Sequence, residues 1–277
     1  MSANNQATLF LVATPIGNLS ELSPRALEVL KSVDVVACED TRNSLKLMSH
    51  FDIHTRMISY HNFNEEESSN GIIKLLEEGK NIALISDAGY PLISDPGYVL
   101  VNRVIDSGYN VTTISGPSAG LNALVASGLN TSHYMFYGFL NAKKSQAKKE
   151  LEELKYFPYT IIFYEAPHRY EKTLELMKEV LGDRRACLAR ELTKLHETYH
   201  RGLLSELCEL KDLKGEMVIL IEGYKKEKEE VKEEDIFEYI DELIKSGLKV
   251  KEACGKASEK YDMSKNQLYN AYLKKGK

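Results

Sequence analysis

The chain has 277 residues, of which 43% are hydrophobic and 28% charged, as is typical of a folded globular protein. This length allows one large domain, or two ordinary domains with a small appendage. The net charge of −5 is unevenly spread, because residues 244–277 hold nine lysines against three acids and the rest of the chain therefore carries −11. Net positive charge could therefore attract only residues 244–277 to a nucleic acid.

Two sequence features bear on the cellular compartment. No apolar run approaches the ~20 residues of a membrane-spanning helix, and the first residues lack the apolar core of a secretory signal. The cysteines Cys38, Cys187, Cys208 and Cys254 are far apart and form no CxxC pair. They indicate free thiols rather than a disulfide frame or a zinc site. We therefore expect a cytoplasmic protein.

Short apolar runs alternate with helical segments through residues 1–129, the predicted first domain. The predicted strands cover residues 9–13, 33–38, 57–60, 81–86 and 111–115. The predicted helices run from the N-cap Ser23 through Leu30, over 44–50, 68–78 and 96–107, and up to Ser127. This alternation predicts βαβ units and a parallel sheet.

The alternation continues more loosely through residues 130–224, the predicted second domain. Strands are predicted at 134–138, 160–164, 185–189, 197–202 and 217–222, and helices at 143–154, 170–181 and 205–210. We expect a second α/β domain with a mixed sheet.

Residues 225–277 differ in character from the rest. The charge run at 225–235 predicts a solvated linker, and helices are predicted at 236–245, 250–261 and 264–274. Ser264 and Gln267 form a capping box at the start of the last helix. Three short helices with a basic surface fit a helix-turn-helix module, and they fit a helical appendage that only packs or dimerises equally well.

Polar residues recur where the predicted strands end. They are found at residues 14–15, 39–42, 61, 87–91 and 115–119 of the first domain, and at 165–169 and 190–194 of the second. The carboxyl ends of parallel strands share one rim, where open α/β sheets bind ligands. Ordinary turn chemistry is the alternative, but so many charged strand ends favour a ligand cleft between the two domains.

Two short patterns point to other chemistries. Residues 116–120, GPSAG, fit the GxSxG of serine hydrolases, and Asp183 with His196 or His200 could complete a triad. Residues 196–200, HETYH, fit the zinc motif HExxH, but that motif needs a helix and these residues lie in predicted loop and strand. Neither the dinucleotide fingerprint GxGxxG nor the P-loop pattern GxxxxGK[ST] is present.

Seven blocks carry a resemblance to a known family. They are VATPIGNL (12–19), CEDTR (38–42), SDAGYPLISDPG (86–97), ISGPSA (114–119), YEAPHR (164–169), ARELTKLHE (189–197) and KGEMVILIEG (214–223). In this order they resemble the ribosomal RNA small subunit methyltransferase I family, within the tetrapyrrole-methylase-like superfamily. Tyr90 stands where the family usually has threonine, and Asn62, Phe63 and Asn141 also depart from its usual pattern.

The resemblance implies a fold and an activity. The fold would be two α/β domains, tetrapyrrole-methylase-like with a parallel and then a mixed sheet, plus a small C-terminal helical domain. The activity would be 2′-O-methylation of a cytidine ribose in the decoding region of 16S ribosomal RNA, with S-adenosylmethionine as cofactor, no metal, and a homodimer as the working form. The small ribosomal subunit would be the partner, without any membrane.

The resemblance also assigns roles to individual residues. The implied cofactor contacts are Pro15, Asp87, Ala88, Tyr90, Ser118, Ala119, Tyr164, Glu165, Ala189 and Gly215. A ribose hydroxyl is a weak nucleophile, so a general base would help, and Asp40 or Glu191 is our candidate, with Arg42 beside it. The expected RNA contacts are Arg169, Arg190, Lys194, Lys143 and Lys144.

Three alternatives remain open at this point. The cleft could serve a small-molecule methylase of the same superfamily that acts on a tetrapyrrole. The chain could be an RNA-binding or assembly factor that keeps a cofactor pocket without catalysing transfer. The acids and Arg42 of residues 39–42 could form a purely structural ion-pair cluster.

Overall fold

The computed structural model describes residues 6–60, 65–226, 233–261 and 263–275. The chain separates into two compact units, Met1–Tyr224 and Lys225–Lys277. His61, Asn62, Phe63 and residues 227–232 of the predicted linker lie outside the described residues. No helix in the described ranges combines the length and the apolar character that crossing a bilayer requires.

The first sheet is parallel throughout and buried on both faces. Its strands are β1 (Thr8–Val12), β2 (Val35–Cys38), β3 (Arg56–Ser59), β4 (Ile82–Ile85) and β5 (Asn110–Ile114), in the order β3-β2-β4-β1-β5. The helices between and after them are α1 (Pro24–Ser32), α2 (Thr41–His50), α3 (Glu65–Glu77), α4 (Tyr98–Asp106) and α5 (Ala119–Ala126). One apolar core lies on each face, which explains why β2 and β4 read as continuous apolar runs rather than alternating ones.

The second sheet is mixed. Its strands are β6 (Tyr134–Phe139), β7 (Thr160–Glu165), β8 (Arg185–Arg190), β9 (Thr198–Leu203) and β10 (Met217–Ile221), in the order β6-β7-β10-β8-β9. Only the β6–β7 pairing in this sheet is parallel. The helices α6 (Lys144–Leu154), α7 (Tyr170–Leu181) and α8 (Leu204–Leu207) accompany it.

Helix α5 joins the two sheets. Its buried residues Ala123 and Leu124 share an apolar core with Ile162 of β7 and Val218 of β10. Gly120 packs against Phe136 and Ile162, where an added Cβ would lie at ordinary contact distances of 3.4 and 3.6 Å. The rim of the first sheet is thereby held against the strand ends of the second.

The Lys225–Lys277 unit is helical in its described part. It contains α9 (Glu233–Lys245), α10 (Val250–Tyr261) and α11 (Lys265–Lys275). Ile240, Cys254 and Leu268 lie at the centre of a small apolar core of its own. The predicted fold class, a parallel α/β sheet and then a mixed one followed by a helical region, is confirmed.

Four predicted helix starts were wrong. Helices α3 and α9 begin at Glu65 and Glu233, each three residues before the predicted start. Helix α2 begins at Thr41 rather than Ser44, because the Asp40 side chain caps it by accepting the Arg42 N–H at 2.8 Å. Helix α4 begins at Tyr98 rather than Pro96, since Gly97 adopts φ 133° as the residue before the first turn. Helix α2 is therefore three residues longer at its start than predicted, and helix α4 is two residues shorter.

Candidate functional site

The loops after β1 and β4 are joined to each other at the centre of the rim. Thr14 and Gly89 exchange two backbone hydrogen bonds, of 2.9 and 3.0 Å. The Thr14 hydroxyl also donates to the Ser86 carbonyl at 3.1 Å. Gly89 has φ 78°, a conformation that side chains disfavour, and this allows the sharp turn at 88–90. The rim is therefore a rigid backbone platform.

A pocket with a cavity volume of about 280 Å³ opens between this platform and the second sheet. The first sheet contributes Ile16, residues 88–90, Ile93, Ser118 and Ala119. The second contributes Phe139, residues 164–167, Leu192 and residues 216–218. Its walls are mostly apolar and aromatic with a few polar groups, the usual make-up of a small-molecule site.

Two tyrosine hydroxyls hold the GPSAG loop on one side of this pocket. The Gly116 N–H donates to the Tyr90 hydroxyl and the Gly120 N–H donates to the Tyr164 hydroxyl, both at 3.2 Å. Burial raises the pKa of Tyr164, the Gly120 bond opposes that rise, and the negative charge of Asp95 adds to it. Both tyrosine side chains therefore anchor the loop.

Replacing Tyr90 by phenylalanine removes the acceptor of the Gly116 N–H and is expected to lower the free energy of unfolding by about 1 kcal/mol. Urea denaturation measures this change. Tyr98→Phe makes the same substitution at a residue that is 75% exposed and should leave the midpoint unchanged. An equal loss in both variants would show that the anchor contributes nothing.

A second, polar opening lies beside the pocket along the same rim. We call it the acidic opening; it has a volume of about 460 Å³ and is lined by Glu39, Asp40, Thr41, Arg42, Ser59 and Asp87. Asn43 donates to Asp87 at 2.9 Å, which fixes that carboxylate. The residues before α2 and the loop after β4 thus place three carboxylates next to the apolar pocket, and the first turn of α2 adds one exposed guanidinium.

Asp40 is bound to its own helix. It pairs with Arg42, whose Nη2 lies 2.9 Å from Oδ2 and whose side chain is 89% exposed. The hydrogen bonds from the Arg42 side chain and backbone lower the pKa of Asp40 to about 2. A carboxylate with this pKa has little tendency to accept a proton at neutral pH.

Glu191 has a similar environment on the opposite side of the cleft. The Lys194 ammonium lies 3.0 Å from Glu191 and 2.9 Å from Glu216. Burial raises the pKa of Glu191, but the bonds from Lys194 and from the Glu216 N–H outweigh it, and the pKa is lowered. Glu191 also has φ 51°, a strained value for a residue with a side chain. Its geometry is that of a carboxylate that holds a lysine.

The predicted RNA-contacting cations differ in how free they are. Arg169 pairs with the buried Glu165 and donates to the Leu140 carbonyl. Arg190 donates to the Lys214 carbonyl at 3.0 Å, and Lys194 holds the two acids named above. Lys143 and Lys144 are exposed at the start of α6. Lys143 and Lys144 therefore have exposed side chains, whereas Arg169, Arg190 and Lys194 are bound to other groups of the protein.

The predicted cofactor contacts fall into two groups. Six line the apolar pocket: Ala88, Tyr90, Ser118, Ala119, Tyr164 and Glu165. Of the others, Asp87 lines the acidic opening, Ala189 is fully buried in a core, and Pro15 and Gly215 precede lining residues in the chain. Sequence reasoning missed Phe139 and Met217, since apolar residues at strand ends carry the same signal as core residues.

The residues of the GxSxG and HExxH patterns lack the surroundings that serine hydrolase and zinc chemistry need. Asp183 accepts hydrogen bonds from the backbone and hydroxyl of Ser205, both at 2.7 Å, so its oxygens are engaged away from any histidine. His200 lies on β9 rather than on a helix. Among the described residues no group of three or more histidines, cysteines or acids could hold a metal ion.

Comparison with known proteins gives concordant results. Residues 8–208 match the family described as Tetrapyrrole (Corrin/Porphyrin) Methylases. The chain is 45% identical to ribosomal RNA small subunit methyltransferase I of Bacillus subtilis (strain 168), over 97% of this chain and 95% of that one. The protein of the same name from Escherichia coli O157:H7 is 41% identical, over 98% and 96%.

Two solved structures share the fold at low sequence identity. Diphthine synthase matches with a TM-score of 0.62 and 14% identity, over 79% of this chain and 90% of that one. Uroporphyrin-III-C-methyltransferase from Thermus thermophilus matches with a TM-score of 0.57 and 18% identity, over 78% and 94%. At these identities the likeness concerns the fold alone.

Proposed function

The chain belongs to the ribosomal RNA small subunit methyltransferase I family of tetrapyrrole methylases, and from this premise we propose that it methylates the 2′-oxygen of a cytidine in the decoding region of 16S ribosomal RNA. The methyl donor is S-adenosylmethionine. The observation that carries the proposal is the apolar pocket that adjoins an acidic opening on one rigid rim. The small ribosomal subunit, in the cytoplasm, is the proposed partner.

The pocket fits the proposed donor in shape and charge. Phe139 and Tyr164 offer aromatic surface for a purine, and their rings lie 5.6 Å apart at an angle. The carboxylate of Asp87, in the acidic opening beside the pocket, attracts a positively charged sulfonium. When bound, S-adenosylmethionine supplies an electrophilic methyl group. The residues proposed to hold it are the predicted cofactor contacts, in particular those that line the pocket.

The acidic opening is the proposed seat of the target ribose. Carboxylates accept hydrogen bonds from sugar hydroxyls, as dinucleotide-binding folds show. Phosphates need cations instead, and Arg42, Lys143 and Lys144 present exposed cationic side chains. Because the carboxylates line the opening and these cationic side chains are exposed to solvent, one ribose can enter while the adjoining RNA phosphates stay at the margin. We propose that Arg169, Arg190 and Lys194 shape the RNA-facing wall through the internal partners described above.

In this proposal the protein contributes positioning and proton removal. The rigid turn at 88–90 and the anchored GPSAG loop fix the donor, and the apolar walls exclude water from the transfer. Asp40 and Glu191 remain predicted base residues. Their pairing with Arg42 and Lys194 also makes them suited to orienting those cations.

In the proposed homodimer the two copies meet at α5. Leu121 and Val125 lie four residues apart on this helix and are 45% and 76% exposed, so they share one face. Exposed apolar pairs of this kind favour association with a second copy. Light scattering would then give twice the mass of the chain.

Transfer of labelled methyl from S-adenosylmethionine to small subunits that lack the modification tests the proposed function. We expect label in the 16S RNA, and none on a corrin or porphyrin acceptor tested in parallel. Label on the tetrapyrrole alone would assign the chain to small-molecule chemistry. Binding of the donor without transfer to either acceptor would assign it to the non-catalytic assembly factors.

A further inference from the structure

The second sheet has another end, opposite the pocket, where β6 and β7 begin. Strand β10 ends there, because it runs antiparallel to β7 and Ile221 pairs with Ile161. The pocket residues Phe139 and Glu165 lie at the other ends of β6 and β7. The length of β7 separates the two ends by roughly 17 Å. A ligand bound at this end therefore lies outside the cleft.

Aromatic side chains cluster at this end and are open to solvent. Tyr134 is 45% exposed, Tyr156 66% and Tyr159 44%. Tyr134 pairs with Thr160, which follows Tyr159 in the chain. The exposed ring of His133 stacks on Tyr159, with centroids 4.8 Å apart and planes at 26°. Of the five phenylalanine and tyrosine side chains that are exposed in the described ranges, three lie here. Exposed apolar side chains that cluster, unlike scattered ones, mark binding surfaces.

The backbone beneath these rings is held in place. The Tyr224 N–H donates to the Phe157 carbonyl at 2.7 Å, and the Tyr224 ring packs edge-on against Tyr156 at 5.1 Å. Gly223 lies directly against Pro158, since an added Cβ would overlap the backbone of that residue. The rings are therefore presented on a fixed support, and ordering them around a ligand costs little conformational entropy.

Cationic side chains lie among the rings. The Lys155 ammonium is 5.8 Å from the centroid of the Tyr156 ring, and the Arg184 guanidinium is 5.5 Å from that of Tyr224. Arg185, the first residue of β8, is exposed, as is Lys155. The surface thus combines open ring faces with positive charge that solvent can reach.

The acids of the same segments are fewer than the cations. Asp183 accepts two hydrogen bonds of 2.7 Å from α8, and Glu222 interacts with Arg184. Arg201, two residues before the end of β9, adds a fourth exposed or half-exposed cation. Four cations therefore stand against two acids here, whereas residues 1–243 as a whole carry −11. This local excess suits a polyanion.

We propose that this end of the second sheet binds unpaired nucleotides of the ribosomal RNA, apart from the target ribose. The proposed contacts, which we call the tyrosine surface, are His133, Tyr134, Lys155, Tyr156, Tyr159 and Arg185. This inference rests on the proposed function. Unpaired bases stack on aromatic side chains whatever their sequence, and neighbouring lysine and arginine side chains contact the phosphates. The tyrosine surface would thereby hold the RNA at a second point while the cleft acts on one nucleoside.

The rings are tested by substitution in the full-length chain. Tyr156→Ala and Tyr159→Ala are each expected to weaken binding to 16S RNA by roughly 5- to 150-fold, because each removes a stacking face. Tyr156→Phe and Tyr159→Phe keep that face and should retain RNA binding. Tyr98→Ala removes a tyrosine that is 75% exposed on α4 and should bind as wild type. Filter binding with labelled RNA measures the affinities, and equal affinities for all five variants would overturn the inference.

The cations are tested by the dependence of binding on salt. Lys155→Ala and Arg185→Ala should each lower the slope of log affinity against log salt concentration by about 0.7–1, the change for one lost phosphate contact. Lys31→Ala, an exposed lysine on α1, is the matched control and should leave the slope unchanged. Slopes that match wild type in all three variants would contradict the assigned phosphate contacts.

Ultraviolet crosslinking of wild type to 16S RNA needs no variant and therefore does not depend on how a variant folds. Mass spectrometry of the peptides should find nucleotide adducts on Tyr134, Tyr156 or Tyr159. Adducts confined to the rim of the first sheet and to Lys143 and Lys144 would overturn the inference. Crosslinks from these tyrosines to a ribosomal protein or to a second copy of the chain would also overturn it, because they would give the surface a protein partner.

The proposed function and the inference fail separately. If wild type transfers no methyl group to the small subunit while its tyrosine surface crosslinks to 16S RNA, the proposed function fails and RNA binding by this surface is supported. If wild type transfers the methyl group and the two alanine variants bind RNA as tightly as wild type, only the inference fails.

Discussion

Replacing Glu165 by alanine is expected to lower the free energy of unfolding by about 3–5 kcal/mol. Its side chain is 1% exposed at the end of β7. It accepts hydrogen bonds from the Ala166 N–H at 2.7 Å, from the Thr173 hydroxyl at 2.6 Å and from the Arg169 guanidinium. Alanine would leave a largely buried cation and two polar groups without their acceptor. Urea denaturation followed by circular dichroism measures the change.

The chain offers a matched control for this prediction. Lys148 and Glu179 form a surface ion pair between α6 and α7, with side chains 43% and 50% exposed. Solvent screens such a pair, so Glu179→Ala should unfold at the same urea concentration as wild type. Glu165→Gln keeps the shape and should lose less than Glu165→Ala. A Glu165→Ala midpoint equal to that of Glu179→Ala would refute the structural role assigned to Glu165.

Replacing Ala119 by leucine is expected to weaken S-adenosylmethionine binding by roughly 30- to 150-fold, which corresponds to about 2–3 kcal/mol. Ala119 is the first residue of α5 and lines the apolar pocket. A leucine side chain would occupy space that the proposed donor needs. Isothermal titration calorimetry gives the dissociation constant directly, and a parallel thermal melt reports on the fold.

Ala142→Leu provides the control, since it makes the same substitution at an exposed residue outside the pocket. Its affinity for the donor should equal that of wild type. Undiminished binding by Ala119→Leu would place the donor elsewhere. A similar loss in both variants would trace the effect to the added apolar bulk rather than to the pocket.

The fold could be predicted from the sequence because its local signals agree with one another. Strands β2 and β4 are buried on both faces and therefore read as apolar runs. Ser23 caps α1, as its position before Pro24 predicts. The helix starts at Thr41 and Tyr98 were harder to predict. The first depends on whether Asp40 turns its side chain back to the helix, and the second depends on the backbone conformation of Gly97. Residue identity alone decides neither.

The site could be predicted only in part. Its polar backbone turns were found because glycine and strand-end position mark them, as at Gly89. The charged residues were found, and the pairing of Asp40 with Arg42 was among the alternatives. Pairs such as Lys194 with Glu216 were not found, since they join distant parts of the chain.

Mapping the methyl group on the RNA tests the central claim most directly. Small subunits that lack the modification would be treated with the protein and S-adenosylmethionine, and the 16S RNA would be digested and analysed by mass spectrometry. We expect one additional 2′-O-methylcytidine, located in the decoding region. A methyl group on a base, on another nucleoside or at scattered positions would contradict the proposed function, even if the donor binds in the pocket described above.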